Sequence, residues 1–138
     1  MATAPLDDHR QRNFDVIQSA FAAVGAGDAD AQVANYTEDI VLEFPFTDPP
    51  TVVPGRGAVH ERLKNAFKVF QFDLTISEVH ACLDPDKLIV EFTGSGSYVP
   101  NGAPYENRYI AVFNFRDGKI CRQREYFDPT QAAKSANT

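Results

Sequence analysis

The carboxylate of Glu125 stands in the strand-like run Arg122-Gln123-Arg124-Glu125-Tyr126-Phe127-Asp128-Pro129, among residues that alternate apolar and charged. A strand sends successive side chains to opposite faces, so the chemistry turns on which way Glu125 points. Outward, it is one more acid on a chain of net charge −6. Inward, it is a carboxyl group in an apolar interior, where lost solvation raises its pKa toward neutrality and suits it to acid–base catalysis. Tyr109 and Asn107 extend that reading. Tyr109 can donate a phenolic hydrogen bond to a substrate oxygen or orient the carboxylate; it is equally a core aromatic with a satisfied hydroxyl. Asn107 can hold a polar substrate group or serve as a structural amide of the sheet.

The hairpin that carries Glu125 decides its direction. On the preceding strand, Tyr105, Asn107, Tyr109, Ala111, Phe113 and Phe115 form the more apolar face, and Glu106, Arg108, Ile110, Val112 and Asn114 the other. Asp117-Gly118 is a hairpin turn signal. A two-residue loop there pairs Phe113 with Arg122 and Ala111 with Arg124, a poor match. A three-residue loop, Arg116-Asp117-Gly118, pairs Phe113 with Cys121, Ala111 with Gln123 and Tyr109 with Glu125, and sets Asn107 beside Phe127. One residue of register turns every side chain over. The second register gathers one coherent apolar face, which predicts Glu125 pointing inward among Tyr109, Ala111, Phe113 and Phe127.

The elements that must position this hairpin follow from periodicity and caps. Asp7 and Asp8 start a helix with Phe14, Ile17, Phe21 and Val24 at helical spacing, ended at Gly25. Asp28 or Asp30 caps a short second helix running through Tyr36, and Ile40 to Phe46 reads as a strand stopped by Asp48-Pro49-Pro50. A third helix carries Val59, Leu63, Phe67 and Phe70. Strands over 71–83, 87–99, 105–116 and 119–127 follow, with apolar parity shifting between Ile76 and Val79 as at a bulge. This order predicts an α+β fold: three N-terminal helices packed on a cone-shaped, curved antiparallel sheet with an interior. Residues 1–138 read as a single domain with a core at about 12–131 and frayed ends.

Composition excludes several functions. The acidic balance and scattered basic residues argue against nucleic acid or an anionic membrane as partner. No window approaches about eighteen uncharged apolar residues, and the N-terminus lacks a signal-peptide core, so a cytoplasmic protein is expected. Cys82 and Cys121 have no disulfide or metal pattern. The histidines and acids show no metal spacing, and phosphate-loop, dinucleotide and nucleophile-elbow motifs are absent. Chemistry without cofactor or metal is the expectation.

Two strings, Tyr36-Thr37-Glu38-Asp39-Ile40-Val41-Leu42-Glu43-Phe44 and Gly55-Arg56-Gly57-Ala58-Val59, together with the element order, resemble the nuclear transport factor 2-like (SnoaL-like) superfamily over about residues 12–131. Tyr105-Glu106-Asn107-Arg108-Tyr109-Ile110 and Arg122 to Gln131 are most similar to the phenazine-biosynthesis A/B type, and there the resemblance implies an acid–base glutamate at Glu125. The chain departs from other members. Phe44 and Ala111 stand where ketosteroid isomerases need an aspartate base and a carboxylic acid donor. Lys87-Leu88-Ile89-Val90-Glu91 lacks the Arg and Asp pair of the limonene-epoxide hydrolases. Ala58 replaces a histidine of the phenazine type, for which His60 can substitute. Family precedent implies a homodimer through the outer sheet face.

The expectation is therefore isomerase, dehydratase, cyclase or condensation chemistry on a small apolar oxygenated molecule. Glu125 shuttles the proton, Tyr109 assists, and Asn107, Phe44, Phe46, His60, Phe67, Ala111, Phe113 and Phe127 contact substrate. A non-catalytic carrier of hydrophobic ligands and an epoxide-hydrolase-like enzyme are the alternatives. Glu43 and Asp48 flank the region of the mouth.

Overall fold

In the computed structural model, which describes residues 5–136, the caps set the helix bounds. Helix α1 spans Asp8–Ala26; the Asp7 carboxylate accepts from the Arg10 amide at its start, and Gly27 closes it in the left-handed conformation at φ 65°, which glycine adopts freely. Its buried side is Phe14, Ile17, Ala20, Phe21 and Val24. Asp28 caps α2, Ala29–Val33, accepting from the Ala31 amide. Tyr36, expected in that helix, is instead the first residue of β1, Tyr36–Phe44. Strand β2, Thr51–Pro54, was not foreseen. Helix α3 is Arg56–Val69, followed by β3, Phe70–Ala81, β4, Lys87–Tyr98, β5, Ala103–Arg116, and β6, Lys119–Phe127.

The six strands form one curved, unclosed sheet in the order β2-β1-β6-β5-β4-β3, and α1 and α3 pack against it. This is the expected α+β arrangement. In detail the sheet is mixed: β1 runs parallel to β6 and the other pairs are antiparallel. The core between helices and sheet contains Ile17, Ile40, Leu88, Val90, Phe113 and Ile120, each completely shielded. Burying each is worth about 1.5–3 kcal/mol. The bulge in β3 falls between Ile76 and Glu78, where the parity shift put it. Gly96 in β4 is required by close approach: a Cβ there would lie 1.9 Å from the Gln71 carbonyl oxygen.

The β5–β6 hairpin corrects the expected register. Asp117 and Gly118, at φ 53° and 78°, form a two-residue turn with Arg116 opposite Lys119 and Phe115 opposite Ile120. The pairing then slips by one residue, leaving Cys121 bulged, so that Phe113 meets Gln123, Ala111 meets Glu125 and Tyr109 meets Phe127. The bulge supplies the extra residue that the longer loop would have supplied. Parity is unchanged, and Glu125 lies on the inner face, two positions along from the expected partner.

The tail is also different from expectation. Thr130–Ala136 form α4, tied down where the Ser135 hydroxyl donates to the Pro104 carbonyl at 2.8 Å and the Asn101 amide donates to the Ser135 carbonyl at 3.0 Å. The expected fraying at residues 1–4 and 137–138 lies outside the described residues. Among the described residues, no helix is long and apolar enough to cross a membrane.

Candidate functional site

Between α3 and the inner face of the sheet lies a cavity of about 210 Å³. Phe44, Phe67, Phe70, Phe72, Phe92 and Phe127 form much of its wall. Among the described residues, Glu125 is the one carboxylate and Arg62 the one full cation in its lining. A larger hollow of about 890 Å³ lies on the outer face around Arg108, Ile110 and Tyr126, but it is more open and Glu125 does not line it.

The alternation of β6 places Gln123 and Glu125 on the same face, and a chain of hydrogen bonds joins them to α2 and β1. Gln123 donates from Nε2 to Glu125 Oε1 at 2.8 Å, and Tyr36 donates its hydroxyl to Gln123 Oε1 at 2.9 Å. Gln32 in turn donates to the Tyr36 hydroxyl at 3.1 Å. The carboxylate sets the direction of the whole chain. It can only accept when ionised, so Gln123 must turn its NH₂ toward Glu125 and its carbonyl toward Tyr36. Glu125 Oε1 is thereby occupied as an acceptor, and a proton on the carboxyl group belongs on Oε2. Burial among apolar walls raises the Glu125 pKa to about 7, and the Gln123 hydrogen bond opposes that rise. The side chain retains some accessible surface because it faces the cavity.

A second polar group stands on β5. Tyr105 and Tyr109 lie two positions apart on the inner face, with their hydroxyls 2.6 Å from each other. Asn107 donates to the Tyr105 hydroxyl at 3.1 Å. Two phenols carry two protons, and their mutual bond uses one. Whichever tyrosine donates to the other, one O–H remains for a ligand oxygen. Burial raises the pKa of both, which keeps them protonated as donors. Tyr109 is also clamped, its ring stacked on Phe92 at 4.7 Å and tilted against Phe127 at 5.4 Å.

The structure brings some of the sequence candidates together and scatters others. Glu125, Tyr109, Phe44, Phe67 and Phe127 line the cavity. Asn107 does not: its amide is consumed by Tyr105, by the Asp128 carbonyl at 2.8 Å and by the Arg108 amide at 2.9 Å. It supports Tyr105 instead of meeting a ligand. His60 falls about 100° round the helix from Val59, and its Nε2 lies 2.6 Å from Asp30 Oδ1, outside the cavity. Phe46 lies beyond the end of β1, 63% exposed, edge-on to Tyr126. Phe113 is packed with Phe21 in the core beneath the cavity, and Ala111, opposite Glu125, has too short a side chain to reach into it.

Among the lining residues outside the sequence candidates, five are polar: Gln32, Tyr36, Arg62, Tyr105 and Gln123. Tyr105 and Gln123 share inward parity with Tyr109 and Glu125, a signal the sequence did carry. The other three depend on how α2, β1 and α3 come together. Parity also hid a cluster on the outer face, where the β3 bulge gathers Glu78, His80 and Glu91 with ligand-type atoms within 4.8 Å of one another. His80 Nε2 and Glu91 Oε2 are 2.6 Å apart there, a hydrogen bond at the surface.

With this geometry in view, comparison with known proteins is informative. Residues 17–123 match the SnoaL-like domain family. The uncharacterised protein YesE of Bacillus subtilis is 32% identical over 97 residues, spanning 68% of this chain and 66% of YesE, a little under two thirds of its length. The uncharacterised PhzA/B-like protein PA3332 of Pseudomonas aeruginosa is 33% identical over 107 residues, 75% of this chain and 74% of its own. Among solved structures, a provisionally named isomerase from Bacillus subtilis superposes with a TM-score of 0.88 at 25% identity, covering 94% of this chain and 96% of that one. The curved sheet, the helices packed on it and the match over most of the chain agree: this protein belongs to the SnoaL-like domain family.

Proposed function

We propose that the protein is an acid–base catalyst that moves a proton on a small, largely apolar, oxygenated molecule held in the 210 Å³ cavity. The observation that carries this reading is Glu125, a carboxyl group with its pKa near 7, held by one oxygen and facing an aromatic cavity that has no second carboxylate among the described residues of its lining. Glu125 Oε2 removes a proton next to a carbonyl or imine and returns it elsewhere. The Tyr105–Tyr109 pair donates its remaining O–H to the oxygen on which charge develops, in the manner of an oxyanion hole. Isomerisation, dehydration and cyclisation share this step, and the isomerase name of one structural relative supports the class.

The reading includes a homodimer through the outer sheet face, which carries Ile110, 45% exposed, and Val112; a monomeric mass by sedimentation would remove that part. The reaction itself is tested by deuterium exchange at the α-carbon of small cyclic ketones in D₂O, followed by NMR. Exchange catalysed by the protein and lost in Glu125→Gln is the expected result. Ketone binding without exchange in either protein would turn the reading into that of a carrier.

A further inference from the structure

The outer face of the sheet carries a cluster that the proton-transfer reading does not use. In β3, Ile76 faces Phe92; the pairing then slips, and Glu78 faces Glu91. Had the earlier register continued, Ser77 would stand opposite Glu91 and Glu78 would turn toward the core beside Val90. The bulge therefore sets two glutamates directly across from each other, with His80 two residues further along on the same face. His80 Nε2 lies 3.9 Å from Glu78 Oε2 and 2.6 Å from Glu91 Oε2. One donor atom from each of the three residues falls within 4.8 Å of the other two.

Directly opposed like charges destabilise a pair of strands, so this arrangement calls for a positive partner. Elsewhere the chain supplies one: Arg10 pairs with Asp7, Arg116 with Asp39 and Arg122 with Glu43. Among the described residues, no lysine or arginine ion-pairs with Glu78 or Glu91, and the neighbour they share is His80. One histidine brings at most a single charge to two carboxylates, whereas a divalent cation held by all three residues brings two. Two ligand atoms at about 2.0–2.2 Å from one ion are at most about 4.4 Å apart. These side chains are 39–52% exposed and reach that spacing by small rotations. An imidazole nitrogen with carboxylate oxygens suits zinc, nickel, copper or iron, while magnesium and calcium prefer oxygen alone. Three protein ligands leave a fourth position to water, and Glu91 borders the outer hollow together with Ser77, Thr93 and Arg108, which gives that water room.

We propose that Glu78, His80 and Glu91 bind a divalent transition-metal ion of the zinc type, on the face of the sheet opposite the Glu125 cavity. The ion ties the edge strand β3 to β4 across the bulge. None of its ligands lines the Glu125 cavity, so the site is separate from the proton-transfer reading and stands or falls without it.

The test is a calorimetric titration of the whole, chelator-treated protein with zinc chloride under reducing conditions, with the histidine ring signals followed by NMR. One ion per chain, a shift of the His80 signals complete at one equivalent, and a raised Tm are expected, since a ligand of the folded state stabilises it. Millimolar magnesium or calcium should leave those signals in place. Glu78→Gln and His80→Ala should each weaken zinc binding at least about tenfold, the scale on which even outer-shell partners of a metal matter; urea titration checks that both variants fold. His9 with Asp86 and His60 with Asp30 make the same kind of contact but belong to no threefold group among the described residues, so they serve as the internal comparison. Zinc shifts at His9 or His60 as strong as at His80, unchanged affinity in Glu78→Gln, or no binding at millimolar zinc would each overturn the site.

Discussion

Two glutamates on opposite faces of one sheet show how far position governs chemistry. Glu125 on β6 faces the cavity, and burial lifts its pKa to about 7. Glu91 on β4 faces outward, and a hydrogen bond from His80 holds its carboxyl below the usual range. Both carboxylates have one close nitrogen partner, at 2.8 Å and 2.6 Å. The surroundings differ in water: an amide in an apolar cavity cannot offset desolvation, whereas an imidazole at a wet surface has little desolvation to offset. The inner carboxyl group thus titrates near neutrality, and the outer one is hydrogen-bonded to His80 at a solvated surface.

The comparison is broken most sharply at the catalytic level. Glu125→Gln keeps the shape and removes the proposed proton carrier, and is expected to reduce α-proton exchange by about 10²–10⁴-fold, the usual contribution of a general base. Glu91→Gln should leave exchange unchanged. NMR-monitored deuterium uptake in both variants decides this, and equal losses would erase the distinction between the faces.

The next effect is on stability against pH. The folded pKa of Glu125 lies above its ordinary value of 4.5, so between 4.5 and about 7 the unfolded chain releases this proton first. The native state then binds more protons, and stability falls as pH rises through that window. The loss amounts to about 3 kcal/mol once pH is well above 7. Glu125→Gln should remove it, matching wild type below pH 4.5 and exceeding it above 7 in urea titrations. Glu91 works in the opposite sense: its lowered pKa contributes stability above its unfolded value that is lost as pH falls through the folded one.

A smaller change sharpens the account of the inner site. Tyr36→Phe breaks the chain between Gln32 and Gln123 and leaves both amides short of a partner, at a cost of about 1–3 kcal/mol. With Gln123 less firmly aimed, the Glu125 midpoint should move further up, which carboxyl-carbon NMR would register. The smallest effect is expected at His80→Ala. Glu91 should titrate closer to the ordinary glutamate range while stability hardly changes, since exposed side-chain contacts of this kind contribute little; a large destabilisation would mean that the outer face is not a solvated surface in solution.

Much of this contrast was legible in residue order. The alternation in β5 identified the inner face, and parity alone sent Glu125 inward even though the loop length was misjudged. The turn and the Cys121 bulge together make the same net offset in parity as the longer loop, and hydrophobic patterning reads parity but cannot locate the extra residue. Asp7 and Asp28 were legible as caps because capping is local. Asn107 was misplaced because its inward parity was right and its hydrogen-bond partner, the Asp128 carbonyl, lies 21 residues away. His60 failed for a related reason: one residue on a helix is a rotation of about 100°, and only docking against α2 shows which side Asp30 occupies.

Local pattern therefore specified the elements, their inner faces and an inward carboxylate, because these depend on near neighbours and on the burial of apolar side chains. Tertiary structure decided what makes that carboxylate a site. Tyr36 reaches Gln123 across 87 residues of chain, β1 lies parallel to β6 to bring them together, and α3 lays Arg62 over Phe44. Each is a closure between segments that share no local signal, fixed only when the helices pack on the curved sheet and a small space remains between them.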